Sequence, residues 1–285
     1  MSNRFLIASF AVIGAAVVSA PALAQDGSAD APAKNVLAGD HLTVGVGAAY
    51  GPSYDGSDDM VLSAFPIVQG EWKGIQFNPR AGGIALDFIP DDKDSRISFS
   101  LGPVVGASFN RNRQIKDPVV RAAGKLAWAL EVGASGGVSV NKLLNDYDSL
   151  TLSADVKWDV RAYKGMTWTP TLSYLTPLSK AVLVTASVSA RHVDDDYAKY
   201  YYSVTPAQSL ASGLPVYNAK GGWDSVNAGL LVGWDLSGDL RDGGFALFAL
   251  GNYARMLNDG KNTPFTSLRG EANQWTIGGG VAYTF

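Results

Sequence analysis

Charged side chains occupy every second position between residues 155 and 161, which makes this segment the best candidate for polar chemistry. The charges are those of Asp155, Lys157, Asp159 and Arg161. All four share one face of a predicted strand, because strand side chains point alternately to its two faces. On the inner wall of a closed barrel they could line an ion-selective pore or form ion pairs that fill the lumen. We favour the ion pairs because side chains can nearly fill a barrel of about twelve strands.

Two further charges occupy the same inward parity on predicted neighbouring strands. Glu131 lies in the alternating segment 126–140, and Arg191 follows the alternating segment 182–190. The sequence therefore predicts six candidate lumen charges. They are Glu131, Asp155, Lys157, Asp159, Arg161 and Arg191.

Tyrosines crowd the long connection predicted for residues 193–222. The five are Tyr197, Tyr200, Tyr201, Tyr202 and Tyr217. Tyrosine offers rigid amphipathic contact area, so this loop is a candidate external contact surface. The same side chains could instead pack on one another over a barrel mouth or join an aromatic girdle. We favour packing of these side chains on one another, and keep the external contact surface and the aromatic girdle as alternatives.

Little in the sequence favours catalysis. His41 and His192 are the only histidines, and no Gly-x-Ser-x-Gly nucleophile elbow is present. The absence of cysteine excludes thiolate nucleophiles, thiolate metal sites and disulfides. Acidic groups at 55–59 and 194–196 lack the spacing of a calcium loop, and we interpret them as solvated. We predict no catalytic, cofactor or metal site, and therefore no enzyme.

The last segment indicates which elements position these side chains. Trp275, Ile277, Val281, Tyr283 and Phe285 alternate with small and polar residues. A tilted strand of about 9–11 residues crosses a bilayer, and a closed barrel leaves no open edge. We predict an all-β fold, a transmembrane antiparallel up-and-down β-barrel. Tyr283 and Phe285 would form the assembly signal for the barrel-assembly machinery.

Composition and the N-terminal residues favour an exported membrane protein. Charged residues make up 17% of the chain, against about 25% in soluble domains. The net charge of −3 gives no indication of nucleic acid binding. Residues 1–24 have the charged start, apolar run and A-x-A site of a signal peptide, with cleavage near Ala24. We then predict a flexible periplasmic lead-in over 25–40 and the barrel over 41–285, in contact with outer-membrane lipid and lipopolysaccharide of a Gram-negative cell.

The strand count depends on the segment 75–88. Eleven strand-like segments are clear, and an even count is the rule for bacterial barrels. Pro79 cannot donate to a strand ladder, and Gly82 and Gly83 favour a turn, so this segment divides into two short strands. We predict twelve strands, with ten as the alternative. Short connections are expected on the periplasmic side at 89–95, 141–148, 177–180 and 237–243, and long external ones at 51–60, 110–125, 193–222 and 258–270.

Several segments together resemble the MltA-interacting protein (MipA/OmpV) family, over about residues 35–285. They are residues 51–59 (GPSYDGSDD), 70–74 (GEWKG) with 77–83 (FNPRAGG), 194–217 (DDDYAKYYYSVTPAQSLASGLPVY) and 264–270 (PFTSLRG). The resemblance implies a non-enzymatic outer-membrane scaffold that links a lytic murein transglycosylase to a peptidoglycan synthase. Two alternatives stay open: a small outer-membrane pore or solute channel, and a surface adhesin or antigen acting through loop 193–222.

Overall fold

A computed structural model describes residues 35–90 and 95–285, which form a closed barrel of antiparallel strands. Each strand pairs with its neighbours in sequence, and β1 pairs with β12 to close the wall. The predicted all-β barrel is confirmed, with twelve strands rather than ten. The strands are β1 His41–Pro52, β2 Met60–Trp72, β3 Ile75–Arg80, β4 Gly83–Asp87, β5 Ile97–Ser108, β6 Ala129–Asn141, β7 Ser149–Asp159, β8 Met166–Pro177, β9 Val182–Val193, β10 Gly222–Asp235, β11 Gly244–Met256 and β12 Asn273–Thr284.

The outer face of the wall is apolar and exposed. On β12, the large side chains of Trp275 and Ile277 are each 62% exposed. The intervening positions, such as Thr276 and Gly278, carry small or polar residues that face the lumen. Large apolar residues exposed at alternate positions are expected where the solvent is lipid.

The connections differ between the two ends of the barrel. At the long-loop end, connections 109–128, 194–221 and 257–272 contain short helices. At the other end, here called the turn end, the described residues of the connections contain no helix. The helices are α1 Pro118–Ala122, α2 Asp195–Tyr202, α3 Pro206–Ser212, α4 Asn258–Asn262 and α5 Pro264–Ser267. Within the described ranges, no helix is long and apolar enough to span a membrane.

Strands β6 and β7 are shorter at the long-loop end than their sequence alternation predicts. β6 begins at Ala129 and β7 ends at Asp159, although the alternation continues beyond both points. The buried carboxylate of Asp159 holds the chain in a turn there. It accepts hydrogen bonds from the backbone N–H groups of Leu130, Ala162 and Lys164.

The hairpin of β3 and β4 is the shortest part of the wall. Its turn lies between Arg80 and Gly83, which confirms the predicted division of segment 75–88. β2 pairs with β3 only from Gly70 to Trp72. The remaining β2 residues, 60–69, pair with β1 alone in the described part of the chain.

The residues that lead into β1 contact the turn end. The N–H of Val36 donates to the carbonyl of Arg241 at 2.8 Å, and the N–H of Lys73 donates to Asp40 Oδ1 at 2.8 Å. These bonds place residues 35–40 against the turn end of the barrel, and the flexible lead-in over 25–40 stays a prediction. Residues 25–34 and the predicted signal peptide lie outside the described residues.

Candidate functional site

Polar side chains meet inside the lumen from strands that are not neighbours. Arg80 Nε on β3 lies 2.8 Å from Asp155 Oδ2 on β7. Ser135 on β6 donates to Asp155 at 2.6 Å and accepts from Arg80 Nη2 at 3.1 Å. Three strands separate β3 from β7, so these bonds run over the inner surface. Sequence reasoning missed Arg80. The pairing of β3 with β2 shows that the Arg80 side chain faces the lumen.

Glu131 joins the inner wall to the long-loop end. Its carboxylate forms an ion pair with Lys157 on the adjacent strand β7. It also accepts a hydrogen bond from the hydroxyl of Tyr163 at 2.8 Å, and Tyr163 lies buried in connection 160–165. Glu131 and Lys157 are thus brought together, as partners of each other rather than as isolated charges.

A second ion cluster surrounds Arg191 at the top of β9. Its Nη2 lies 2.8 Å from Asp224 Oδ2 and 2.8 Å from Asp55 Oδ2. The hydroxyl of Tyr202 donates to Asp224 at 2.6 Å. Sequence reasoning missed Asp224, because it lies at a register shift in β10 that periodicity does not reveal. The solvated interpretation of the acidic group 55–59 is wrong for Asp55, which reaches Arg191 from a distant loop.

Asp159 and Arg161 do not join these pairs. Asp159 is the turn-forming carboxylate described above. Arg161 lies beyond the end of β7 and is exposed, with its guanidinium carbon 4.0 Å from the ring centroid of Trp128. The predicted lumen position is therefore wrong for Arg161, because the turn held by Asp159 carries it out of the strand.

An aromatic pair occupies the lumen on the other side of the barrel. The ring centroids of Phe65 on β2 and Phe248 on β11 lie 6.1 Å apart. The two rings meet over Gly47 and Gly280. A Cβ atom at Gly47 would lie 2.7 Å from Phe248 Cζ, and one at Gly280 would lie 2.6 Å from it, so neither position has room for a side chain. The inward glycines thus make space for aromatic rings that narrow the lumen.

The long loops pack into a cap, defined here as connections 53–59, 109–128, 160–165, 194–221 and 257–272. Two apolar clusters form its interior, and they join loops from different sides of the barrel. The buried members include Tyr54, Ile115, Val120, Tyr163, Tyr197, Tyr201, Tyr202, Val204, Leu214 and Phe265. The cap is therefore a packed structure over the lumen.

The loop tyrosines are part of this interior. Tyr197, Tyr201 and Tyr202 are only 2%, 1% and 2% exposed. This burial agrees with the favoured packing of the loop tyrosines on one another, and it is incompatible with an external contact surface formed by these three. Tyr200 and Tyr217 are half-buried. Burial is the main cause that raises the pKa of Tyr197 and of Tyr202 well above the usual value. Tertiary packing of α2 thus turns an exposed-looking tyrosine run inward.

Arg111 is a buried cation within the cap. Its guanidinium lies 3.6 Å from the ring centroid of Phe265, and Nη1 donates to the carbonyl of Tyr201 at 2.9 Å. Burial lowers the pKa of Arg111 to about 10. Arg111 therefore contacts residues of loops 194–221 and 257–272 from loop 109–128, and these contacts stabilise the cap.

The connection between β6 and β7 is a rigid turn at the opposite end. The buried carboxylate of Asp148 accepts hydrogen bonds from the N–H groups of Leu143 at 2.7 Å and Leu144 at 2.9 Å, and from the hydroxyl of Tyr174 at 2.6 Å. Leu144 is nevertheless 78% exposed and Tyr147 is 74% exposed. The turn therefore holds apolar side chains away from the barrel.

Neighbouring turns extend this apolar area. We define the turn-end surface by its exposed side chains, which are Leu143, Leu144, Tyr147, Leu178 and Leu236. The N–H of Leu240 donates to the carbonyl of Lys180 at 2.9 Å, which ties two of these turns together. Tyr283 and Phe285 also lie at this end, with ring centroids 4.7 Å apart.

The two histidines do not form a catalytic arrangement. His192 lies on the outer wall between Trp168 and Trp223, at ring-centroid distances of 5.8 Å and 5.4 Å. His41 Nδ1 contacts the carbonyl of Gly39 at 2.9 Å near the turn end. In the described ranges, no group of three or more histidine or acidic side chains is arranged to hold a metal ion.

The sequence model of the family described as "MltA-interacting protein MipA" matches residues 44–285. This chain belongs to the MipA family. The family match covers almost the whole barrel, and together with the barrel fold it supports an outer-membrane barrel protein. The predicted family resemblance is confirmed.

Solved outer-membrane barrels are among the structures to which this MipA family member is similar. The COG4313 outer membrane channel from Pseudomonas putida F1 has 11% identity and a TM-score of 0.43, covering 91% of this chain and 100% of that chain. OprD from Pseudomonas aeruginosa has 11% identity and a TM-score of 0.36, covering 86% and 65%. No curated protein matches the chain.

Proposed function

We propose that this MipA family protein is a non-enzymatic outer-membrane interaction protein that binds a periplasmic partner at its turn end. The observation that carries this proposal is the turn-end surface, where Asp148 holds Leu144 and Tyr147 exposed in a rigid turn. Exposed apolar side chains rimmed by polar residues are typical of protein interaction sites.

The orientation follows from the rules for bacterial barrels. Short turns and both termini of such barrels face the periplasm, and long loops face outward toward lipopolysaccharide. In that orientation the turn-end surface meets soluble periplasmic proteins, and the cap faces the outside. Export by the predicted signal peptide and assembly through Tyr283 and Phe285 belong to the same proposal.

The family name supplies the partner class. MltA-interacting proteins are named for binding a murein enzyme, so we take the partner to be a lytic murein transglycosylase, with a peptidoglycan synthase as the second protein. The turns alone offer a small area. Residues 35–40, which contact turn 236–243 through Val36 and Arg241, add to it.

A cross-linking pull-down from envelope fractions tests this proposal. Leu144→Asp with Tyr147→Asp should abolish capture of the transglycosylase, because charge on an apolar contact prevents its desolvation. Leu210→Asp is the matched control, since Leu210 on α3 is 90% exposed at the opposite end. Unchanged capture by the turn-end variant, or equal loss in the control, would contradict the proposal.

The hydroxyl-lined and charged side of the lumen also supports a second candidate, a small pore or solute channel. The cap and the Phe65–Phe248 pair oppose free passage. Conductance in planar bilayers separates the two functions. A scaffold should give no stable ion-selective steps, whereas a channel should give them and lose selectivity when Asp155 is replaced by asparagine.

A further inference from the structure

The barrel wall is incomplete beside β2. Its pairing with β3 stops at Gly70, and residues 60–69 have no strand partner on that side among the described residues. Pro66 lies in this open edge, and Pro79 lies in the edge of β3 that would continue the ladder. Neither proline has an N–H to donate. The opening is therefore specified by the sequence, and a strand from another chain would pair with it poorly.

A cleft lies at the long-loop end of this opening, with a volume of about 530 Å³. Side chains from the cap form one border: Gln114 Nε2 donates to the carbonyl of Leu62 at 3.4 Å, and Lys116 Nζ donates to that of Met60 at 2.5 Å. These carbonyls therefore point into the gap. The lining residues are Tyr50, Met60, Val61, Leu62, Gln114, Ile115, Lys116 and Arg121.

The cleft lies at the depth where a bilayer meets water. Tyr50 pairs with Ile277 on β12, two residues from the exposed Trp275. Leu62 pairs with Tyr50 and is exposed on the same outer face. Exposed tyrosine and tryptophan mark the membrane interface, so the apolar side of the cleft is open to acyl chains.

The other side of the cleft is basic. The segment 113–125 carries Arg113, Lys116, Arg121 and Lys125, and among the described residues none of these four forms an ion pair. Its one acid, Asp117, is held by Arg269 at 2.6 Å. Cations beside an interface attract anionic lipid headgroups.

We infer that this cleft binds one phosphorylated lipid of the surrounding bilayer. The acyl chain lies along Tyr50 and Leu62 in the opening beside β2, and the phosphate lies between Lys116 and Arg121. The Pro66 and Pro79 positions favour a lipid over an added strand, because a lipid chain needs no ladder partner. This inference does not depend on the proposed partner at the turn end.

A second groove on the outer wall provides a comparison within the same molecule. It has a volume of about 330 Å³ and includes Leu230, Tyr253, Trp275 and Ile277, but no basic residue. A lipid in that groove gains apolar contacts without a charged partner. Selectivity for phosphate is therefore expected from the cleft beside β2 and not from this groove.

Native mass spectrometry of the full chain in detergent tests this inference, with phosphatidic acid and phosphatidylcholine of identical acyl chains as probes. The wild type should retain one phosphatidic acid in preference to phosphatidylcholine. Lys116→Glu with Arg121→Glu should weaken this retention by at least about tenfold, since each surface cation contributes to the attraction of anionic lipid. The control, Lys220→Glu with Lys261→Glu, changes two exposed cap lysines and should retain it.

If the charge-reversal variant does not fold, Lys116→Gln with Arg121→Gln removes the charges while keeping polar side chains at both positions. This variant should also lose its preference for phosphatidic acid. The heat-modifiable gel band of the folded barrel checks that the variant has folded. Equal retention of the two lipids by the wild type, or equal loss in the variant and in the lysine control, would overturn the inference.

Discussion

The cap and the wall of this barrel place their apolar side chains in opposite ways. In the cap, large side chains such as Phe265 and Tyr201 are buried among one another. In the wall, Leu152 and Trp275 are exposed on the outer face, while the inner face carries glycine, hydroxyls and ion pairs. The difference indicates that one chain is adapted to two solvents, with water around the cap and lipid around the wall.

The two regions are also held by different bonds. Backbone ladders between neighbouring strands hold the wall, whereas side-chain packing and buried polar links such as Arg111 to Tyr201 hold the cap. Local opening of a loop region costs less than loss of a closed ladder. We therefore expect the cap to lose structure under conditions in which the wall persists.

The largest effect is expected for Phe265→Ala. Removing a buried phenylalanine costs about 3–5 kcal/mol through lost contacts and a residual cavity, and here it also removes the ring beneath Arg111. Hydrogen exchange should rise throughout the cap, while the urea midpoint of the barrel stays unchanged. Leu210→Ala is the control. A matching fall in the barrel midpoint would show that cap and wall unfold as one unit.

A charge on the lipid face should have the next largest effect. Leu152→Arg is expected to destabilise the wall by about 2–4 kcal/mol near the bilayer midplane. The adjacent Ser153→Arg faces the lumen and should cost much less. Urea unfolding in lipid vesicles measures both variants. Equal costs for the two positions would contradict the assigned faces of β7.

Alkaline pH should loosen the cap before the wall. Burial and a hydrogen bond to Asp259 at 2.8 Å raise the pKa of Tyr217 to about 12. Since the folded pKa lies above the ordinary value of about 10, this contribution is complete below pH ~10 and is lost as the pH rises toward ~12. Cap hydrogen exchange against pH measures this, and Tyr217→Phe should reduce the dependence. Loss of the gel band of the folded barrel at the same pH would contradict the prediction that the cap loosens before the wall.

The smallest effect is expected for Lys199→Ala. Its ion pair with Asp196 spans 3.7 Å on the exposed face of α2. Exposed pairs at this spacing contribute about 0.3–0.5 kcal/mol at most. Cap hydrogen exchange should therefore stay close to that of the wild type. A change as large as that of Phe265→Ala would mean that α2 contributes more to the cap than its packing indicates.

Sequence periodicity predicted the wall well because membrane strands repeat a local rule. Alternation placed Asp155 and Lys157 on the inner face, and Pro79 with two glycines located the β3–β4 turn. The alternation failed at Arg161, because the turn made by Asp159 depends on backbone donors from strand β6 and from connection 160–165.

Sequence periodicity could not identify the ion-pair partners of the predicted charges. Arg80 and Asp155 are separated by three intervening strands in the wall, and Asp55 reaches Arg191 from another loop. Self-packing was the favoured interpretation of Tyr201 and Tyr202, but a short helix in a long loop shows no periodic pattern that reveals which of its side chains are buried and against what. These contacts depend on barrel closure, which brings distant segments together.

The sequence by itself determined that this chain forms a twelve-stranded barrel of the MipA family and which wall residues face lipid. Those properties follow from an alternation of period two, from turn residues and from family motifs, all of which are local. Only the tertiary structure decided that the long loops form a packed cap, that Arg80 pairs with Asp155, and that the wall opens beside β2. The reason is that burial and pairing are set by which segments meet in space, and closure of the barrel decides that.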